Sequence, residues 1–197
     1  MLNSLIGIIA SSGGVTSTNS YESIATVTVG AGGSSSISFT GIPSTYQHLQ
    51  VRGIARSTGA ATYGTNDVIL FRLNSDSGTN YSSHYLVGGD NGSVTFAGGA
   101  AGQTYFNMGW NASNSSPSNV FSTSVTDIVD YSNTNKYKTL RMLNGYDSNT
   151  SSGFGTACVW YGSGGWYNTN AVSSITLTYS GSNFAQYSQF ALYGIKG

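Results

Sequence analysis

Charge is what this sequence has least of. Lys, Arg, Asp and Glu together make up 7% of the 197 residues, against roughly 25% in ordinary soluble domains, and seven of each sign cancel. Without a basic excess there is no electrostatic footprint for the phosphate backbone, so nucleic acid is not an expected partner. The single cysteine, Cys158, cannot close an intrachain disulfide, and no Cys/His cluster has zinc spacing. Proline occurs twice. No stretch approaches the ~20 apolar residues that cross a bilayer, so no membrane partner is expected. The G-x-S-x-G elbow and the D-x-D-x-D-G calcium loop are both missing. No metal or cofactor is therefore expected.

What is abundant is glycine, at 27 residues, and tyrosine, at 14. With 39% hydrophobic residues the chain can bury a core, which argues against wholesale disorder. Its polar surface must come from hydroxyls and amides, and a near-neutral surface of that kind has little to hold copies apart. Such a surface suits a component of an assembly or a secreted surface protein better than a free cytosolic enzyme.

From Tyr21 onward the hydrophobic period is two. Leu49, Val51, Gly53 and Ala55 alternate with Gln50, Arg52, Ile54 and Arg56, the pattern of a half-buried strand. About ten short strands follow one another, separated by Gly, Asn, Ser and Asp, the residues that turns require. The expected fold is all-β: a single β-sandwich of jelly-roll type over residues 20–197. Residues 42–46 read as one helical turn entered through Pro43. Residues 88–102 and 111–119 read as end loops. The expected core contains Ile37, Phe39, Leu49, Val51, Leu70, Phe106, Val129, Leu140, Val159, Leu177 and Leu192, with Trp110, Trp160 and Cys158 also inside.

Residues 1–19 form a separate arm and hinge. Leu2, Leu5, Ile6, Ile8 and Ile9 are apolar, no charge lies among them, and Gly13-Gly14 follows. An exposed arm of this kind is a liability for a monomer. Residues 2–10 are expected to dock on a neighbouring subunit, through Leu5, Ile6 and Ile9.

Convergent ionisable groups, which catalysis needs, are scarce. A Ser/His/Asp set can be drawn around His84, but serine is everywhere and the spacing carries no weight. His48 reads as a turn or cap residue. Asp127 and Asp130 lie three apart on one strand and should face opposite ways. Asp76 reads as a turn residue; beside Asp90 it makes a calcium site conceivable. The aromatics say more. Trp166, Tyr167, Tyr105 and Tyr146 fall within or beside Gly/Asn/Ser stretches, where they would offer contact area to a glycan or a protein. Trp166 and Tyr167, after the turn read at residues 163–165, are the expected surface pair.

Three stretches carry a resemblance. They are Ser20-Tyr21-Glu22-Ser23-Ile24 running on to Ile42-Pro43-Ser44-Thr45-Tyr46-Gln47-His48-Leu49; Phe71-Arg72-Leu73-Asn74-Ser75-Asp76 with Asn80-Tyr81; and Ser173-Ser174-Ile175-Thr176-Leu177-Thr178 through Phe190-Ala191-Leu192-Tyr193-Gly194-Ile195-Lys196. Over residues 20–196 the chain resembles a group of virion proteins of tailed bacteriophages that infect aquatic bacteria. The resemblance implies a non-enzymatic β-sandwich on the virion, as a capsid decoration or cement protein. The alternative is a tail-fibre or receptor-binding component that holds host-surface glycans through loop aromatics. The implied partners are other capsid or tail proteins and further copies of this chain, with a trimer as the expected order.

Overall fold

The computed structural model describes residues 20–60, 68–89, 95–149 and 157–197. Twelve strands form: β1 (Tyr21–Thr28), β2 (Ser36–Thr40), β3 (His48–Ala55), β4 (Val68–Leu73), β5 (Tyr81–Gly89), β6 (Thr95–Gln103), β7 (Phe106–Trp110), β8 (Ser122–Val129), β9 (Lys138–Asp147), β10 (Ala157–Trp166), β11 (Ser174–Tyr179) and β12 (Gln189–Ile195). They make two antiparallel sheets. The larger has the order β1-β12-β3-β8-β9-β10-β5-β6 and the smaller β2-β11-β4-β7. The all-β expectation holds, and no helix occurs among the described residues. Residues 42–46 form bends rather than a helical turn.

The sheets close on a core of alternate residues. Leu49, Val51 and Ala55 of β3, Leu140 and Met142 of β9, Trp160 of β10 and Leu192 of β12 meet Ile37, Phe39, Ile69, Phe71, Phe106, Ile175 and Leu177 of the smaller sheet. Trp160 packs edge-on against half-buried Trp110, ring centroids 5.0 Å apart, and tilted against Tyr85 at 4.4 Å. Cys158 is buried, as expected.

Three expected core residues fall elsewhere. Leu70 is half-buried, and Val129 and Val159 face outward, 39% and 58% exposed. In β10 the inward positions belong to Cys158 and Trp160, so the period of two turns Val159 out. In β8 the inward set is Ser122, Ser124, Thr126 and Ile128, which leaves Val125 and Val129 on the other face.

Two strands differ from the sequence reading. β6, Thr-Phe-Ala-Gly-Gly-Ala-Ala-Gly-Gln, occupies part of the expected loop at 88–102. Its glycines let partner side chains lie flat: a Cβ on Gly98 would sit 2.7 Å from the Tyr85 ring, and one on Gly99 within 2.9 Å of the His84 imidazole Nε2. β10 runs through the expected turn at 163–165, with Gly164 opposite Leu140 and Gly165 opposite Thr139. Trp166 is therefore a strand residue opposite Lys138.

Two buried cations tie down irregular segments. The Arg56 guanidinium donates to the carbonyls of Ser116, Pro117 and Val120 at 2.8–2.9 Å and so shapes the loop between β7 and β8. The Lys138 ammonium donates to the carbonyls of Asn133, Lys136 and Thr169 at 2.6–3.1 Å. Burial lowers the pKa of both groups.

Candidate functional site: the outward face of the larger sheet

The smaller sheet covers one face of the larger. The other face is built from the alternate positions of β3, β8, β9, β10, β5 and β6. Register places Arg52, Val125, Leu143, Tyr161, Leu86 and Ala97 in one cross-strand row, each directly opposite the next. Leu143, Tyr161 and Leu86 are 49–56% exposed, and Val159 stands beside them at 58%. A shallow hollow of about 200 Å³ lies between Val125, Leu143, Gly145 and Val159. Another, of about 310 Å³, lies between Leu86, Ala97, Gly98 and Tyr161.

The next row, two residues along each strand, is polar and internally paired. Gln50 Nε2 donates to Asp127 Oδ1 at 2.7 Å, and Arg141 Nη2 donates to Asp127 Oδ2 at 3.1 Å. Arg52 Nε donates to Gln50 Oε1 at 2.6 Å. The Arg52 guanidinium also lies over the Tyr21 and Tyr193 rings, 5.4 and 5.3 Å from their centroids. The bond to Asp127 raises the Arg141 pKa. A hollow of about 500 Å³ opens between Tyr21, His48, Gln50, Asp127, Val129, Arg141 and Ile195.

Both oxygens of Asp127 thus accept bonds from neighbours. Asp130, at φ 50° just past the end of β8, pairs with Lys136 Nζ at 2.7 Å and lies 3.6 Å from His48 Nδ1. The Lys136 bond holds its carboxyl below the usual carboxylate range. His48 opens β3 and accepts the Asp130 N–H at 3.0 Å, close to the capping role read from sequence. Among the described residues, no group of three or more His, Cys, Asp and Glu is placed to hold a metal ion.

The expected surface aromatics divide. Trp166 is 1% exposed and is not a contact residue. Its ring stacks on Tyr81, and its Nε1 donates to Asp76 Oδ2 at 2.7 Å. Tyr167 is 54% exposed, and its partner is Tyr137, 57% exposed, with ring centroids 5.4 Å apart at 63°. Tyr137 went unnoticed in the sequence because it flanks β9 far from any glycine run; only the β9–β10 register brings the two together. Tyr105 is half-buried beneath the Arg72 guanidinium, 5.9 Å from the ring centroid. Tyr146 is half-buried against the core. Leu2, Leu5, Ile6, Ile8 and Ile9 lie outside the described residues, as does Asp90.

Comparison with family models, with curated proteins and with solved structures finds no match to this chain.

Proposed function

We propose that this chain is a structural component of a tailed-phage virion, a capsid decoration or cement protein that binds neighbouring subunits and catalyses no reaction. The observation that carries the reading is the outward apolar row Val125–Leu143–Tyr161–Leu86, on a chain that is nearly uncharged. Adjacent exposed apolar side chains gain free energy when another surface covers them. The adjoining polar groups are already paired with one another, so covering them leaves few bonds to replace. The same pairing supports a non-catalytic role, since Asp127 and Asp130 are each held by a cation.

We read the sandwich as a jelly roll carrying two inserted hairpins. Without β5–β6 and β9–β10, eight strands remain, and they pair β1 with β12, β2 with β11, β3 with β8 and β4 with β7. That is the nesting of one long hairpin rolled into two sheets. Double-sheet jelly rolls serve in viral capsids and in lectins. On this reading copies associate into a closed ring, a trimer being the order proposed.

Imaging of purified particles that carry the chain tests the role. Density on the capsid lattice is the expected result, and density only at the tail would replace it with the fibre role. The exposed Tyr137–Tyr167 pair favours a second reading, a tail component that binds host glycans. Its rings are not coplanar, and Trp166 lies behind them rather than beside them, so the platform for sugar stacking is smaller than the sequence implied. A glycan array with the wild type and with Tyr167→Ala tests it; saturable binding lost in the variant would establish this reading.

A further inference from the structure

The apolar row has the dimensions of a single peptide rather than of a second sheet. From Val125 on β8 to Ala97 on β6 it crosses five strands, about 19 Å at ~4.8 Å per strand. One to two residues deep, it offers roughly 200 Å², about a quarter of the ~800 Å² per partner that a stable sheet-on-sheet dimer buries. An extended segment of five to eight residues, at ~3.3 Å each, spans roughly 16–26 Å and fits it.

The chain carries one segment of matching chemistry. Residues 2–10 contain Leu2, Leu5, Ile6, Ile8 and Ile9 and no charge. The row itself, from Val125 to Ala97, has no charge either, so docking strands no ion away from water. The chain enters the sheet at Ser20, whose carbonyl accepts the Lys196 N–H at 3.0 Å, in line with β1. Upstream of that point β1's axis leads off the end of the sheet, away from the row, which crosses the strands five residues farther in. Reaching its own row would require a full reversal of direction. The residues between Ile9 and Tyr21 can extend about 36 Å, far enough to carry the apolar segment past the end of the sheet to a second copy.

We infer that the outward row of Val125, Leu143, Tyr161 and Leu86 is the receptor for residues 5–9 of a neighbouring copy of this chain, so that copies are joined by exchanged arms. This deepens the assembly reading by naming the partner and the surface, and it is tested on purified protein independently of any particle.

The test mixes two full-length single-site variants, Ile6→Cys and Leu143→Cys, under mild oxidation; the native Cys158 is buried and does not compete. The expected product is a mixed disulfide dimer, at least tenfold more abundant than when Thr139→Cys, on the same face of β9 but off the row, replaces Leu143→Cys. Equal yields from the two pairings, or no mixed dimer, would overturn the inference. So would Leu143→Cys cross-linking chiefly to itself, which would make the occupant a second sheet. A chain carrying both substitutions that closes the bond within itself would make the occupant its own arm, and would overturn it too.

Discussion

The carboxylate of Asp76 is the most heavily bonded acidic side chain described here. It accepts from Trp166 Nε1 at 2.7 Å, Asn80 Nδ2 at 2.9 Å and the Gly78 N–H at 2.8 Å. Partial burial pushes its pKa up, and the three donors outweigh that, leaving it below the ordinary carboxylate value. A depressed folded-state pKa stabilises the fold above the unfolded value of about 3.9, and the contribution is lost as pH falls through the folded value. In Asp76→Asn an amide must face the indole N–H with one acceptor fewer. We expect it to lose about 1–3 kcal/mol at pH 7, the cost of breaking bonds to a charged, partly buried group. The gap to wild type should narrow from pH 7 toward pH 3, as the unfolded chain takes up its proton there before the folded one does. Urea unfolding at the two pH values measures this; a gap of constant size would mean that charge is not what the three donors stabilise. Trp166→Phe keeps the stacked ring and loses one donor, so it should have a smaller effect of the same sign.

At the scale of elements, the alternation of residues was legible wherever both faces kept their chemistry. β3 is the clearest case, because Leu49 and Val51 are apolar and Gln50 and Arg52 are not. It failed where the faces were exchanged. β8 buries Ser122, Ser124 and Thr126 and turns half-buried Val125 and exposed Val129 to the other face, so composition points the wrong way. It failed again where glycine stands inside a strand rather than at a turn. Gly164 has the sequence setting of a turn residue, yet a Cβ there would overlap the Ser82 carbonyl on β5 and approach the Phe106 ring to 2.7 Å. The absent side chain is what lets β10 and β5 approach so closely and β7 pack beneath them. Gly164→Ala should therefore cost about 1–3 kcal/mol, as overpacking does, and lower the melting temperature by roughly 2–12 °C. Gly88→Ala, on the exposed side of β5 with no atom within 4 Å of a built Cβ, should change stability by less than about 0.5 kcal/mol. Thermal melts of the two variants compare them directly. Equal shifts would show that close approach is not why Gly164 is glycine.

For the whole molecule, the fold class was legible because all-β chemistry is local: a period of two, broken by turn residues. The proposed contact surface is only half legible. The arm stood out in sequence by its lack of charge, but the row on the sheet is assembled from four strands whose register no local pattern gives. The described core draws its residues from Val29 to Leu192. Removing residues 1–12 should leave the circular-dichroism spectrum of a β-protein and a melting temperature within about 3 °C of wild type, a change below ~1 kcal/mol for a chain of this size. On the proposed virion role, the truncated protein should no longer join the particle. Because the apolar side chains of the arm contribute roughly 1.5–3 kcal/mol each when fully buried, against about 1–2 kcal/mol per residue for ordering the backbone, each single docking in the proposed assembly would be weak and many would have to act together. Binding of the full chain should accordingly change little between low and physiological salt, since charge screening has almost no charge to act on. Truncated protein that assembles normally would remove the arm as an anchor. Truncated protein that fails to fold would make the arm part of the core, and binding that collapses with added salt would move the contact from the apolar row to the Gln50–Asp127–Arg141 row beside it.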